Sequence, residues 1–255
     1  MSAAWDPGQY HRFQTERRAP FYDLLRLVRR RPGTRVVDLG CGTGELTRLV
    51  HLELQAQTTL GVDNAASMLA RAPRATAGLE FVQADIATFA ATAPVDLMFS
   101  NAALHWLANH EELFTRLTRQ LAADGQLAVQ MPANFDQPSH TTAAAVADEE
   151  PFRSALGAFR PPYHVHPPEA YAAWLARLGY REQHVRQQVY GHWLASRDDV
   201  VEWVKGTTLV PYRDRLPAPL YAQYLERYRQ RLLPQLEETR PFFFPFKRLL
   251  IWAQR

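Results

Sequence analysis

Residues 36–47, VVDLGCGTGELT, indicate the fold more strongly than any other stretch of the chain. The segment opens with a non-alternating, largely β-branched run, which is typical of a parallel strand buried on both faces. Gly40, Gly42 and Gly44 then lead into residues with helical composition. Glycines at such a turn let the backbone bend tightly and approach a ligand without a Cβ in the way. A tight turn without a ligand would use the same residues, so the loop alone does not define a site.

Strands and helices alternate through the first half of the chain. Beside the strand over 35–40, the sequence predicts strands over 58–63, 79–85, 95–101 and 125–132, the last after a helix stop at 124–125. The helices predicted between them cover 44–54, 65–72 and 110–121. Because the connections are short, these elements predict right-handed βαβ units in a doubly wound, mostly parallel α/β sheet.

The second half changes this rhythm, because helices there are not each followed by a strand. Helices are predicted over 140–159, 168–180, 196–210 and 221–238, with Ser196 as the N-cap of the third. Strands over 181–194 and 246–254 bring the predicted sheet to seven. We expect a helical insertion, about 197–240, between these last two strands.

The predicted organisation is a single domain over residues 1–255. Residues 1–31 form a helical arm or lid in which Pro20 interrupts the helical pattern, and a helix ends near residues 32–33. Residues 32–132 form the ligand-binding core, and residues 133–255 supply the remaining strands and the helical cap.

Three acidic residues lie at the carboxyl ends of the first three predicted strands. Asp38 precedes the glycine loop, and Asp63 and Asp85 end the second and third strands. Carboxyl ends of parallel strands meet at one edge of an open α/β sheet, where such sheets bind ligands, and an acid about 20 residues after the loop binds ribose hydroxyls. Asp85, followed by Ile86, offers an acceptor for an adenine amino group beside an apolar wall. The pattern therefore predicts a nucleoside site.

LGCGTG, VD at the second strand and AD at the third resemble the class I S-adenosylmethionine-dependent methyltransferases over residues 35–130. This resemblance implies their Rossmann-like fold, with S-adenosyl-L-methionine as cofactor and S-adenosyl-L-homocysteine as product. Asp38 and the glycine loop would face the methionine part, Asp63 the ribose, and Asp85 the adenine. Met68 would pack on the adenosine, with packing in the protein core as an equal alternative. The implied cofactor-binding residues are Asp38, Gly40, Cys41, Gly42, Asp63, Asn64, Met68, Asp85, Ile86, Asn101 and Ala102.

Five further segments narrow the resemblance to the trans-aconitate 2-methyltransferase family, and the similarity runs nearly end to end. They are WDPGQYHRFQTERRAP (5–20), SNAALHWL (100–107), GQLAVQMPANFDQPSH (125–140), VEWVKGTTLVPY (201–212) and LERYRQRL (225–232). The family methylates a carboxylate of a small tricarboxylic acid. The resemblance therefore implies a carboxyl O-methyltransferase that forms a monomethyl ester.

A carboxylate nucleophile is already ionised at neutral pH, so the reaction needs no general base. We therefore predict no catalytic residue in the strict sense, with His105 and Trp106 orienting the methyl acceptor. Helix packing is the alternative for Trp106. Tyr221, Tyr224 and Tyr228 share one helix face. A half-buried packing face is the alternative for them, and it is the interpretation we adopt for Tyr221. The predicted substrate-binding residues are Tyr10, His105, Trp106, Tyr212, Arg213, Tyr228 and Arg229.

The chain departs from the family pattern at three positions. Val210 stands where arginine is common, His105 where glutamine is more frequent, and Lys247 where proline is expected. Another small carboxylic acid, or an acyl-chain carboxylate, therefore stays open as the acceptor. The alternatives from other classes are a nicotinamide-dependent oxidoreductase, disfavoured by the GxGxG spacing and Asp38, and a non-catalytic cofactor-binding subunit that regulates or scaffolds a partner.

Composition and motifs also restrict the partners, the metal sites and the oligomeric state that we expect. The net charge of +3 is spread along the chain, and the fourth strand is followed by SNAALHW rather than by a motif like Asn-Pro-Pro-Tyr, so we expect no nucleic-acid partner. Cys41 is the only cysteine, and His164 and His166 have no third ligand nearby in the sequence, so we expect no metal. Without a long apolar run or signal-peptide pattern, we expect a cytoplasmic protein with no membrane partner. Without coiled-coil heptads, we expect a monomer.

Overall fold

A computed structural model describes residues 14–157 and 159–255. The strands in these residues are β1 (Arg35–Leu39), β2 (Thr58–Asp63), β3 (Leu79–Gln83), β4 (Val95–Asn101), β5 (Leu121–Pro132), β6 (Glu182–Leu194) and β7 (Phe242–Gln254). The α-helices are α1 (Gln14–Leu27), α2 (Glu45–Glu53), α3 (Ala66–Leu69), α4 (His110–Arg119), α5 (Pro138–Ala147), α6 (Phe152–Leu156), α7 (Pro168–Arg177), α8 (Asp199–Lys205), α9 (Val210–Arg213) and α10 (Ala218–Leu232). Short 3₁₀ turns cover Leu104–Trp106 and Leu233–Gln235.

The strands form one seven-stranded sheet in the order β3-β2-β1-β4-β5-β7-β6. The neighbours from β3 to β5 pair in parallel, and β7 runs antiparallel to β5. This arrangement confirms the predicted doubly wound, mostly parallel α/β fold with helices inserted late in the chain. The carboxyl ends of β1 to β5 consequently share one edge of the sheet, which we call the ligand edge.

Two compact units make up the chain. The sheet unit is Arg18–Pro132, His164–Gln188 and Arg248–Arg255, and the helical unit includes Ala133–Tyr163 and Val189–Lys247. In the sheet unit, Phe21 of α1 packs edge-on against Phe99 of β4, with ring centroids 5.7 Å apart. The helical unit has its own apolar core, in which Trp203 and three tyrosines are its largest fully buried side chains. The prediction of one domain over the whole chain stays a prediction.

Two helical predictions were wrong. Pro20 does not interrupt the first helix: α1 continues through it and ends at Leu27 rather than near residue 32. A proline removes only one helical hydrogen bond, while the residues after it, such as Phe21 and Leu24, become fully buried. Ser196 is not an N-cap, because α8 begins at Asp199, whose carboxylate accepts a hydrogen bond from the Ser196 N–H at 3.1 Å.

Other element boundaries also differ from the prediction. The helix predicted over 140–159 is two helices, α5 and α6, and the helix predicted over 65–72 is the single turn α3. β5 begins before residues 124–125, because its pairing with β4 jumps from Val95↔Leu121 to Leu97↔Gln126 and leaves the intervening residues as an irregularity. In the described part of the chain, no helix combines the length and apolarity that crossing a bilayer requires.

Candidate functional site

The glycine loop after β1 is fixed by backbone hydrogen bonds to β2. The N–H groups of Gly40 and Cys41 both donate to the carbonyl oxygen of Val62, at 2.8 and 3.0 Å. Gly40 has φ +78°, and a Cβ added to it would lie 2.1 Å from the Cβ of Ala103. Only glycine fits such a position, so the sequence requirement at the loop is steric and conformational.

Asp63 joins the loop to the end of β2. One carboxylate oxygen accepts from the Gly42 N–H at 2.8 Å, and the other accepts from the Ala65 N–H at 2.9 Å. Each oxygen has a second lone pair, and the side chain is half-buried. Asp63 therefore fixes the loop and keeps the capacity to accept from two ligand hydroxyls.

Asp38 lies beneath the loop and is almost fully buried. Its carboxylate accepts from the Thr47 hydroxyl at 2.6 Å. Burial, together with the nearby charge of Asp63, raises the pKa of Asp38 to about 7, although the Thr47 hydrogen bond opposes this shift. A cationic group placed next to Asp38 would favour the ionised carboxylate and lower this pKa. Burial likewise raises the pKa of the Cys41 thiol, which makes it a poor nucleophile.

The other residues predicted for the nucleoside lie around the same loop. The Met68 methyl carbon is 3.4 Å from the position that a Cβ on Gly42 would take, and the Ile86 Cδ1 is 3.5 Å from the equivalent position on Gly40. Asp85 is exposed, with one carboxylate oxygen accepting from the Ala87 N–H at 2.8 Å. The structure therefore brings both ends of the predicted nucleoside pocket to the ligand edge. Asn64 follows Asp63 there and is exposed.

The end of β4 supplies an unsatisfied acceptor. The Asn101 side-chain oxygen is buried and has no hydrogen-bond partner among residues 14–157 and 159–255. Ala102 has φ +56° and donates its N–H to the Gln130 carbonyl oxygen at 2.9 Å. This hydrogen bond holds the turn that leads from β4 toward His105.

His105 and Trp106 form the 3₁₀ turn after β4, with their rings 4.6 Å apart. Burial, with smaller effects from the charges of Arg248 and His110, lowers the pKa of His105 to about 3. The imidazole is therefore neutral near pH 7 and a weak base. Its buried Nδ1 has no hydrogen-bond partner within the part of the chain that the structure describes. Trp106 is 53% exposed, so its indole is not a core side chain.

Sequence analysis missed the residues that hold this turn. His110 is fully buried, and its Nε2 lies 3.0 Å from the Leu104 carbonyl oxygen. Its Nδ1 lies 2.5 Å from the Tyr171 hydroxyl, which also accepts from the His166 N–H at 3.2 Å. His110 and Tyr171 are 61 residues apart, so no local pattern in the sequence could have paired them.

Tyr212 of the helical unit has a buried hydroxyl, and burial raises its pKa while a weaker interaction with Tyr224 lowers it. The side chain is fully buried and stacks on Tyr224 with ring centroids 5.1 Å apart. Its hydroxyl oxygen makes no hydrogen bond that meets geometric criteria with any described residue. Arg213 is half-buried and pairs with Asp214 through its Nε at 3.2 Å.

The other two tyrosines of this group have partners inside the helical unit. The Tyr224 hydroxyl donates to the Ala143 carbonyl oxygen at 2.7 Å, and the Tyr228 hydroxyl donates to the Ser139 carbonyl oxygen at 2.8 Å. Both side chains are fully buried. The alternative of a packing face therefore describes Tyr228 better than the predicted substrate contact does.

The remaining predicted residues are placed as follows. Arg229 forms an ion pair with Asp198, and Lys247 forms one with Asp136. Val210 opens α9. Tyr10, predicted to bind substrate as part of the N-terminal arm or lid, lies outside the described residues. The structure thus brings the predicted cofactor-binding residues together at the ligand edge, while Tyr212, Arg213, Tyr228 and Arg229 belong to the helical unit.

Comparison with known proteins assigns the family. A family model described as a methyltransferase domain matches residues 30–167. The trans-aconitate 2-methyltransferase of Methylobacterium nodulans is 41% identical over 99% of both chains. The enzyme of the same name from Acidovorax sp. is 41% identical over 98% of both, and that from Deinococcus radiodurans is 40% identical over 98% of both.

Solved structures share the fold at low identity. The YcgJ protein of Bacillus subtilis has a TM-score of 0.62 at 15% identity, over 92% of this chain and 97% of its own. Phosphoethanolamine N-methyltransferase 2 of Haemonchus contortus, in complex with S-adenosyl-L-methionine, has a TM-score of 0.54 at 17% identity, over 92% of this chain and 52% of its own.

The geometry of the ligand edge fits this cofactor. The glycine loop leaves no room for a Cβ at Gly40, the buried Asn101 oxygen can accept from an ammonium group, and Asp63 can accept from ribose hydroxyls. The cofactor is S-adenosyl-L-methionine, which confirms the cofactor implied by the resemblance to the class I methyltransferases. The chain belongs to the trans-aconitate 2-methyltransferase family of S-adenosylmethionine-dependent methyltransferases.

Proposed function

We propose that the enzyme methylates one carboxylate of a small polycarboxylic acid, with trans-aconitate as the first candidate acceptor and a monomethyl ester as product. The observation that carries this proposal is the 40–41% identity to named trans-aconitate 2-methyltransferases over at least 98% of each chain. An identity spread over whole chains includes the segments outside the cofactor motifs, where a family's acceptor preference is expected to reside.

Residues of the ligand edge would hold the cofactor. Asp63 would accept from the ribose hydroxyls, Asp85 and Ile86 would hold the adenine, and Asp38 and Asn101 would face the methionine ammonium. Gly40, Cys41, Gly42, Asn64, Met68 and Ala102 would line the remainder. Bound there, S-adenosyl-L-methionine supplies a methyl group on a sulfonium, which an acceptor carboxylate takes as its oxygen–carbon bond forms and the carbon–sulfur bond breaks.

The chain's contribution is alignment and exclusion of water, because no proton moves in this reaction. Alignment of reacting atoms within about 3–3.5 Å can supply several kcal/mol of the barrier. His105, which is neutral near pH 7, would donate to or space the acceptor rather than act as a base. Trp106, which is half-exposed, would shield the methyl group from water.

The carboxylates of the methyl acceptor need hydrogen-bond donors and cations to bind them. Tyr212 is the strongest candidate in the helical unit, because its buried hydroxyl has no geometrically satisfied partner among the described residues. Arg213 would supply a positive charge if its guanidinium left Asp214 and paired with a carboxylate of the methyl acceptor. Val210 removes one cation that the family pattern expects, so a different small carboxylic acid is the second candidate acceptor. Tyr10 keeps its proposed role as part of a lid.

The test is methyl-ester formation with isotopically labelled S-adenosyl-L-methionine and a panel of mono-, di- and tricarboxylic acids that includes trans-aconitate. Products are identified by mass spectrometry, with the Asp63→Ala variant as the control for dependence on the site. Ester formation from trans-aconitate at the highest kcat/KM supports the proposal. Measurable cofactor binding without an ester from any acid would contradict it.

Three further properties stay predictions. They are a monomeric state, a cytoplasmic location and the absence of nucleic-acid or membrane partners. Light scattering, cell fractionation and binding to nucleic acid or vesicles test them separately.

A further inference from the structure

Gln130, near the carboxyl end of β5, is a buried polar residue that the sequence analysis did not single out. Its side chain is 1% exposed, and its amide nitrogen has no hydrogen-bond partner in the described part of the protein. Asn101 is its register partner on β4, so the two side chains leave the same face of the sheet next to each other. The ligand edge therefore holds an unpartnered acceptor on Asn101 beside an unpartnered donor on Gln130.

Gln126 on the same strand is a buried glutamine whose side-chain amide is hydrogen-bonded within the fold. It is 2% exposed and lies four residues earlier, on the same face. Its amide nitrogen donates to the Arg29 carbonyl oxygen at 2.9 Å. Its amide oxygen accepts from the Arg29 N–H at 2.8 Å and from the Trp252 Nε1 at 2.9 Å. Two glutamines of similar burial thus differ in whether another described residue supplies a partner for the side-chain amide nitrogen.

A buried donor without a partner destabilises the fold, because no hydrogen bond compensates for the loss of its hydration. Such a donor is expected in a native protein where a ligand supplies the missing acceptor. An amide N–H requires an acceptor, and the fold provides one for Gln126 but not for Gln130 within the described residues.

Arg248 on β7 places a positive charge near the carboxyl end of β5. Arg248 on β7 is the register partner of Pro132, two residues beyond Gln130, and so lies on the same face of the sheet. It is buried, and its charge acts on His105, whose own Nδ1 lacks a partner among the residues that the structure describes. A buried guanidinium near polar atoms that lack partners among the described residues favours an anion as the ligand.

We infer that Gln130 and Arg248, with His105 beside them, form a subsite for a carboxylate of the methyl acceptor. This inference rests on the proposed function and adds to it a specificity-determining position on β5. The carboxylate held there is the one that is not methylated, and Asn101 is left to accept from the cofactor ammonium. The subsite would make the enzyme prefer acids with at least two carboxylates.

The position in the sheet favours the acceptor over the carboxylate of the cofactor's own amino-acid part. The glycine loop follows β1, and β4 separates β1 from β5. With strands about 4.8 Å apart, Gln130 lies roughly 10 Å across the sheet from β1. The side of the sheet beyond β4 is therefore available for a second ligand.

The test compares Gln130→Leu with the matched control Gln126→Leu. Isothermal titration calorimetry measures trans-aconitate binding to the enzyme saturated with S-adenosyl-L-homocysteine, and a separate titration measures S-adenosyl-L-homocysteine alone. We expect Gln130→Leu to weaken trans-aconitate binding at least tenfold, leave S-adenosyl-L-homocysteine binding within twofold, and keep or raise the melting temperature. Gln126→Leu, which loses three hydrogen bonds, should lower the melting temperature and keep trans-aconitate binding within twofold.

Trans-aconitate binding unchanged by Gln130→Leu would overturn the subsite. An equal loss of S-adenosyl-L-homocysteine affinity would also overturn it, because the cofactor's carboxylate would then be the occupant. If the wild-type complex binds neither trans-aconitate nor the other acids of the panel, the subsite is rejected. Binding that depends on Gln130 but yields no ester would support the subsite and contradict the proposed function, so the two failures are distinguishable.

Discussion

The ligand edge of the sheet unit and the tyrosine pair Tyr224 and Tyr228 of the helical unit both present polar side chains, but the hydrogen-bonding capacity of the two sets is satisfied differently. At the ligand edge, Asp63 keeps unused lone pairs, and buried atoms of Asn101 and Gln130 lack partners among the described residues. In the helical unit, Tyr224 and Tyr228 donate to backbone carbonyl oxygens. The difference shows that unsatisfied hydrogen-bonding capacity, rather than polarity or residue type, marks where a ligand is expected.

The largest expected effect is on Asp63. Asp63→Ala removes two hydrogen bonds between a carboxylate and the backbone, together with the ribose acceptor. Hydrogen bonds to charged groups contribute about 1.5–3 kcal/mol each, so S-adenosyl-L-homocysteine affinity should fall about 100-fold. Isothermal titration calorimetry measures the change.

Asp96→Ala is the matched control for Asp63→Ala. The Asp96 carboxylate accepts from the Arg35 N–H at 2.7 Å, at the first residue of β1 and so away from the ligand edge. This variant should keep S-adenosyl-L-homocysteine affinity within about twofold, because it removes no proposed cofactor contact. Equal losses in the two variants would show that carboxylate–backbone bonds matter for stability alone.

The next effect is a pH dependence of cofactor binding. The pKa of Asp38 is raised to about 7, so below that pH a proton must leave before the carboxylate can pair with the cofactor ammonium. The dissociation constant of S-adenosyl-L-homocysteine should therefore rise about tenfold for each pH unit below 7 and level off above it. Titrations between pH 5.5 and 8.5 check this slope, and Asp38→Asn should remove it.

The stability of the ligand-free enzyme should change in the opposite direction. A folded-state pKa above the ordinary value of an aspartate means that the fold favours the protonated carboxyl. The contribution of Asp38 to stability is complete below about pH 4 and is lost as the pH rises through about 7. Melting temperatures of wild type and Asp38→Asn should converge at low pH and diverge near pH 7. Parallel curves would contradict this account.

Tyr212→Phe should have a smaller effect, limited to the KM for the methyl acceptor. The Tyr212 hydroxyl is buried without a geometrically satisfied partner among the described residues, so its removal should leave the melting temperature unchanged or slightly raised. A lost hydrogen bond of about 1 kcal/mol to a substrate carboxylate raises KM about fivefold. Steady-state kinetics with trans-aconitate at saturating cofactor measure it. A lower melting temperature with an unchanged KM would assign Tyr212 to the packing of the helical unit.

The smallest effect on activity is expected for Tyr228→Phe. This change leaves the buried Ser139 carbonyl oxygen without its donor, which should cost about 1 kcal/mol of stability. KM for the acceptor should stay within about twofold. Chemical denaturation and steady-state kinetics provide the two measurements, and Tyr224→Phe, which loses the Ala143 contact, should behave alike. A large KM increase in Tyr228→Phe alone would return Tyr228 to the substrate site.

The sequence predicted the sheet and the cofactor side of the site because both follow from local patterns. A parallel sheet places the carboxyl ends of its strands at one edge, so Asp38, Asp63 and Asp85 could be brought together from strand boundaries alone. The loop geometry followed from Gly40, where a Cβ would clash with Ala103, and from Gly42, whose positive φ favours glycine. These relations need the chain direction and the strand order, and they need no knowledge of individual side-chain contacts.

Tertiary structure alone decided which polar side chains are satisfied. Gln126 and Gln130 are indistinguishable by strand pattern, and they differ because Arg29, 97 residues from Gln126, bonds only one of them. Tyr228 was predicted to bind substrate until its hydroxyl was found on a carbonyl 89 residues away. Strand direction is encoded locally, whereas a hydrogen-bond partner is set by packing between distant segments. The sequence by itself therefore predicted the edge of the sheet at which we propose that the cofactor binds, and the three-dimensional structure decided which buried polar groups lack a partner among the described residues.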